Sequence, residues 1–330
     1  MACTGLTAET IANWVAEEPF PPYSYYRDIP TARCWAYRAA QLQQLAAAAS
    51  HHAVHEETPS GEALVGITEL PWDSEQLGMP AGRLDYAIVR RREPAGERHD
   101  SAASSMLALY EVAAAAAVRT AASLGLRHLS ARLDSRELPL AQALESAGFR
   151  LVDALLRLGV DATRLEPAAV PAGVELAPAV EDDLPGLVAL AARGFVHDRF
   201  HNDPALGPGA ADRLHASWVE NAVRGRTGDG VLVARVGGRP AGFFIVALDR
   251  LTTAHLGTTV GSLVLITVDR ELRHRGIALA LSLGAARWLV DLGAQRLEVG
   301  TQLANVPATN LYTKAGFRLL QSSVSLRWAS

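Results

Sequence analysis

Short apolar runs separated by Gly, Pro, Asn and Asp divide this chain into strands and helices of ordinary length. In its last third, residues 261–268 read as a strand, followed by a basic turn, Arg273-His274-Arg275-Gly276-Ile277-Ala278, and a helix over about 277–292. A second strand (296–300) and a short helix ending at Gly316-Phe317 come next. Upstream, strands at 230–236 and 241–248 flank Gly237-Gly238-Arg239-Pro240, a hairpin turn by composition. Before the hairpin, Glu181-Asp182-Asp183-Leu184 opens a helix with acids in its first turn, as the helix dipole favours. Asp198-Arg199-Phe200-His201-Asn202-Asp203-Pro204 breaks that helix, and another spans about 210–223.

The first half follows a similar order: strands at 63–69 and 83–90, a helix at 102–124, a strand at 128–133, a helix at 138–147 and a strand at 149–160. Its segment Leu144-Glu145-Ser146-Ala147-Gly148-Phe149 repeats the ending Lys314-Ala315-Gly316-Phe317. Residues 167–175, rich in Pro, Ala and Gly, read as a linker. Residues 1–58 read as an extension: a helix capped by Thr7 or Thr10 runs to Glu17 and stops at Pro19-Phe20-Pro21-Pro22, and a second covers 31–50. Tyr23, Tyr25, Tyr26, Trp35 and Tyr37 make this extension too aromatic for a disordered tail, and predict packing on a domain or on a second subunit as a homodimer. His51, His52 and His55 are expected at a polar helix end leading into a solvated linker, not around a metal. The expected division is 1–58, 59–165 and 166–330.

Composition narrows the function. A chain of 330 residues that is 49% hydrophobic suffices for two cores. A net charge of −4 with no long basic block argues against a nucleic-acid surface. Cys3 and Cys34 are too few for a disulfide framework or a zinc site. Residues 1–16 lack the basic start and apolar run of a signal peptide. The alanine-rich stretch 106–126 carries Glu111 and Arg119, which fits a buried helix and not a membrane span. A soluble cytoplasmic protein with no metal, no nucleic-acid partner and no membrane partner is expected.

The turn at 273–278 is where chemistry is expected. Unpaired N–H groups at a helix start, together with the helix dipole, attract anions. Gly276 removes the Cβ that would block a phosphate, Ala278 is nearly as small, and Arg273 and Arg275 add charge. This layout resembles the Gcn5-related N-acetyltransferase (GNAT) superfamily, whose R-x-x-G-x-G/A signature is matched by Arg273, Gly276 and Ala278. Asn305-Val306-Pro307-Ala308-Thr309-Asn310-Leu311-Tyr312-Thr313-Lys314-Ala315-Gly316-Phe317 matches the family's N-x-x-A-x-x-L-Y-x-K-x-G-F.

The resemblance implies an α/β fold of two tandem GNAT-like domains with mixed, mostly antiparallel sheets flanked by helices. The first is implied to be degenerate: before its long helix stands Arg91-Arg92-Glu93-Pro94-Ala95-Gly96-Glu97, whose acids Glu93 and Glu97 would repel a pyrophosphate. It implies an N-acyltransferase taking acetyl-CoA, held by Ile266, Val268, Arg273, His274, Arg275, Gly276, Ile277, Ala278, Asn305 and Tyr312. In the family a tyrosine at the position of Tyr312 protonates the departing thiolate, and a phenol of pKa about 10 is well matched to that task.

Four segments, 70–75, 198–201, 218–225 and 300–305, resemble more narrowly the GNAT enzymes that acetylate a nucleotide-linked 4-amino sugar. That resemblance implies a small-molecule amine acceptor. Phe200 and Trp218 would stack on a sugar or base, and Arg199 and Arg224 would hold a diphosphate. His201, Asp203 and Glu220 are the candidate bases, with deprotonation through water as the alternative. Two other readings stay open: a donor thioester carried on the pantetheine of a carrier protein in natural-product assembly, and a non-catalytic module binding acyl-CoA or a partner protein. The joint presence of Arg273, Gly276, Asn305 and Tyr312 speaks against the last.

Overall fold

The computed structural model describes residues 8–92, 100–167 and 169–330; the Thr7 cap and the acids Glu93 and Glu97 lie outside them. The chain divides into two compact units, Met1–Asp153 with Ser323–Ser330, and Ala154–Ser322.

The first unit contains α1 (Ala8–Val15), α2 (Thr31–Ala46), β1 (His51–Thr58), β2 (Gly61–Glu69), α3 (Pro71–Leu77), β3 (Ala81–Arg91), α4 (Asp100–Ser123), β4 (His128–Asp134), α5 (Leu138–Ser146) and the start of β5 (Arg150–Asp161). Strands β1, β2 and β3 pair antiparallel, and β3 pairs parallel with β4. Successive side chains of a strand face opposite sides, and both sides here are apolar. Ala63, Val65 and Ile67 of β2 join α4 and α5 in one core, whereas Leu64 joins Tyr86, Ile88, Ile11, Trp14 and Leu42 in another.

That second core seats the aromatic start of the chain on a domain, the first of the two expected packings. Helices α1 and α2 cover one face of the first unit's sheet, and Trp14, Val15, Cys34 and Tyr37 are buried. His51, His52 and His55 belong to a strand, not to a helix end and linker. The ring of His51 bonds the Thr68 hydroxyl at 2.9 Å and the Tyr86 hydroxyl at 3.0 Å. A run of three histidines in eight residues looks solvated, but paired strands bury alternate members and supply polar partners for them.

The second unit contains β6 (Val174–Pro178), α6 (Leu184–Gly194), α7 (Ala210–Val223), β7 (Gly230–Val236), β8 (Arg239–Asp249), α8 (Arg250–Leu256), β9 (Val260–Val268), α9 (Ile277–Asp291), β10 (Arg296–Gln302), α10 (Val306–Lys314) and the start of β11 (Arg318–Ala329). Its sheet is also covered on both faces. Leu232, Ala234, Phe244 and Val246 pack with α9 and α10, while Val231, Val233, Phe243 and Ile245 pack with α6 and α7.

Each unit closes its sheet with a strand from the other half of the sequence. Residues 155–161 of β5 pair antiparallel with β10 inside the second unit. Residues 323–329 of β11 pair antiparallel with β4 inside the first. Among the described residues, no helix is long and apolar enough to cross a membrane.

Candidate active site

Strands β9 and β10 are parallel, but their pairing covers only Val260↔Arg296 to Leu263↔Val299. Beyond it β9 stays paired with β8 as far as Gly242↔Val268, and β10 stays paired with β5. The two parallel strands therefore part after Leu263, and a slot opens along residues 264–268. A bulge accounts for the parting. Ile245 faces Leu265 and Val246 faces Leu263, so Val264 is the extra residue, and a bulge sharpens the local twist. Ile266, opposite Phe244, and Val268 lie on the slot's β9 side.

The basic turn follows β9. Arg273 donates from Nε to the Val268 carbonyl at 3.2 Å, and Arg275 donates from Nη2 to the Glu271 carbonyl at 3.5 Å. His274 has φ 63° and Gly276 φ 80°, both left-handed, and non-glycine residues in that region cluster at functional sites. Gly276 is the residue before α9 and contributes no capping side chain, so the first N–H groups of α9 are not capped by it. A Cβ at Gly276 would come within 3.3 Å of Pro171. Arg273, His274 and Arg275 are exposed, Ile277 is buried, and Ala278 is half-buried.

Helix α10 opens at Asn305, whose side-chain oxygen accepts the Ala308 N–H at 3.2 Å. Pro307 in the first turn needs no N–H partner. The turn of this helix buries Tyr312 to 2% exposure, its ring 6.1 Å from that of Phe317. Burial pushes the phenol well above its ordinary range, so Tyr312 is a neutral acid.

The loop between α6 and α7 flanks β9 on the other face. The end of α6 lies close to the strand: a Cβ at Gly194 would fall 2.2 Å from the Thr267 hydroxyl. Phe195, Trp218, Val264 and Leu265 all pack against the one buried cluster built from α6, α7, β7 and β8. In the loop, Asp198 accepts the N–H groups of Phe200 and His201 at 2.9 and 3.3 Å through one oxygen and meets His201 Nδ1 at 2.6 Å through the other. His201 Nε2 lies 3.2 Å from Asp212. Partial burial opposes charge on His201, but the hydrogen bonds and charges of Asp198 and Asp212 outweigh it and raise its pKa. Two carboxylates bracketing the imidazole favour its protonated form, which suits a hydrogen-bonded anchor of the loop better than a base. Arg199 lies over the Phe200 ring at 4.6 Å.

The remaining candidates are placed as follows. Glu220 and Arg224 form an ion pair on the surface of α7, and Arg224 also reaches Glu181 at 3.7 Å. Asp203 is buried and accepts the Ala205 N–H at 3.0 Å. The segment 70–75 lies in the first unit, at the start of α3. Sequence reasoning passed over Asp212 and His215. Their spacing on one predicted helix puts them on a common face, and that face meets the loop.

Residues 197–317 match the family model for the acetyltransferase (GNAT) family. That stretch carries the likeness to acetyltransferases, and the fold of the chain is that of the tandem GNAT proteins. A solved tandem GNAT protein from the clavulanic acid biosynthesis pathway matches 98% of this chain and 97% of its own, with a TM-score of 0.52 at 15% identity. The dTDP-fucosamine acetyltransferase of Escherichia coli O6:H1 is 29% identical over 175 residues, 53% of this chain and 69% of that protein. The mycothiol acetyltransferase of Pseudarthrobacter chlorophenolicus is 29% identical over 164 residues, 49% of this chain and 48% of that protein. The matched stretch thus spans about half of that second relative.

Proposed function

We propose that the chain transfers an acetyl group from acetyl-CoA to the primary amine of a small amino sugar, nucleotide-linked as in the dTDP-fucosamine relative. The observation that carries this reading is Tyr312: a buried, neutral phenol on the helix that follows the parted end of β10. Acetyl-CoA supplies the thioester. The β9 backbone over 264–268 is free of β10 and offers N–H and C=O groups along the slot, where a donor preset for the carbonyl is most effective. The α9 N-terminus, Arg273 and Arg275 suit the pyrophosphate. The Tyr312 hydroxyl gives its proton to the departing sulfur as the amine forms the new amide, and the amine's proton leaves to water. Phe200, Trp218 and Arg199 of the loop and α7 receive the acceptor.

The experiment is a matrix of acetyl-CoA and carrier-bound acetyl thioesters against nucleotide-linked amino sugars and simple amines, read by mass spectrometry. Acetylation of the nucleotide-linked amino sugar from acetyl-CoA supports the reading. Turnover confined to carrier-bound donors, or to amines without a sugar, overturns it.

A further inference from the structure

The loop between α6 and α7 brings together three groups that the transfer reaction does not use as a set. Ligand atoms of Asp198, His201 and His215 all lie within 4.8 Å of one another. His215 sits on α7 with 3% exposure, and its ring stacks on Phe195 at 4.4 Å between centroids. Its Nδ1 donates to the Ala211 carbonyl at 2.8 Å. In the neutral ring that bond leaves Nε2 as a lone pair, and Nε2 points at the Asp198 carboxylate from 3.7 Å. Two electron-rich atoms facing each other in a half-buried loop call for a cation between them. The Asp198 side chain is itself oriented by the two backbone N–H groups on its other oxygen.

We propose that Asp198 Oδ2, His201 Nδ1 and His215 Nε2 bind one divalent transition-metal ion of the zinc type, which displaces to solvent the proton between His201 Nδ1 and Asp198, with a fourth position open. Metal-bound histidines characteristically donate their second nitrogen to a carbonyl or carboxylate. His215 does so to Ala211, and His201 Nε2 faces Asp212 at 3.2 Å. Around a tetrahedral zinc with bonds of about 2.0–2.2 Å, ligand atoms stand roughly 3.3 Å apart. The present separations of 2.6 and 3.7 Å bracket that value, so small rotations of His201 and Asp198 accommodate the ion. Two imidazoles and a single carboxylate favour zinc, cobalt or nickel over magnesium or calcium. The ion would pin the loop to α7, and its open position would face whatever enters beside Phe200.

The test titrates zinc(II) alone into the chelator-treated full chain, with bound metal counted by mass spectrometry and cobalt(II) absorption as a second readout. The expected result is one ion per chain and the visible bands of a tetrahedral cobalt site. His201→Gln and Asp198→Asn, both near-isosteric changes in the half-buried loop, should each weaken binding at least about tenfold, and His215→Ala likewise. Circular dichroism separates lost binding from lost folding, and the two loop variants carry the test if His215→Ala does not fold. Failure of the wild type to take up an equivalent overturns the proposal. So does binding that persists unchanged in His201→Gln, which would place the ion elsewhere, as among His51, His52 and His55.

Discussion

The carbonyl of Tyr312 accepts the N–H of Phe317 at 3.0 Å, and the carbonyl of Leu144 accepts the N–H of Phe149 at 2.9 Å. The two residues are counterparts in the two units, both buried in the main core of their own unit. The correspondence extends outward: Glu137 precedes α5 as Asn305 precedes α10, and Asp85 is the bulged residue of β3 as Val264 is of β9. One unit has a phenol at the position of the proposed leaving-group acid. The other has a leucine, which can neither give nor take a proton.

Tyr312→Phe should lower kcat by about 10²–10⁴ with the affinity for acetyl-CoA unchanged. Because burial raises the phenol's pKa, the acid form persists as pH climbs through its ordinary value of about 10. The wild-type rate should show no loss from tyrosine ionisation up to that pH. A variant within threefold of wild type, measured by steady-state kinetics, removes Tyr312 from the mechanism.

Calorimetry should find one CoA per chain. In the first unit α4 begins at Asp100 and runs to Ser123, whereas α9 covers only Ile277–Asp291. Counted back from the matching turns Leu124-Gly125 and Leu292-Gly293, α4 continues through the place where Gly276 opens the phosphate turn. The position near the parting of β3 and β4 is also filled, since the Arg38 guanidinium bonds the Asp85 carbonyl at 3.0 Å and Glu18 at 2.9 Å. Gly276→Glu should abolish the single site, through charge, a strained φ and the contact with Pro171. Two equivalents, or an unaffected variant, would contradict this.

Glu137 should make stability depend on pH. Burial, joined by the charges of Glu18 and Asp134, raises its carboxyl to about 7 against the opposing Asp134 N–H bond and Arg38. The folded chain keeps a proton that the unfolded chain gives up, so this contribution is full below the ordinary carboxyl range and is lost as pH rises through about 7. Thermal melts should show Glu137→Gln gaining on wild type between pH 5 and pH 8. Parallel pH profiles would mean the carboxyl is ionised throughout.

The two arginines beside the acceptor loop should separate. Arg224 is tied to Glu220 and Glu181 at the surface, and such pairs contribute at most about 1 kcal/mol. Arg224→Ala should therefore change neither KM by more than about twofold. Arg199→Ala should raise the acceptor KM about tenfold and leave that for acetyl-CoA alone. Equal effects of both changes would point to a shared diphosphate clamp instead.

Most strands and helices from β2 onward were legible because their apolar runs end at turn residues, but α3 was read as a loop and α8 and β11 were not read. Gly148-Phe149 and Gly316-Phe317 gave away the repeat. At the start of the chain the two helices and their packing on a domain were legible, but the strand at 51–58 was not, because its partner β2 is what turns a polar run into a strand. Asn305 and Tyr312 were singled out by their match to the family motif. The Asp198–His201–His215 set was not, since it joins a loop to a helix and only folding brings Ala211 and Asp198 to the two sides of one ring.

The closing strand of the first unit, residues 323–329, is made long after β4, the strand it pairs with. While the chain is being made, β4 waits with an open edge through the synthesis of nearly two hundred intervening residues. Neither half can complete itself when expressed alone from a cut at the linker, and a stop codon near residue 322 would damage the beginning of the protein more than its end.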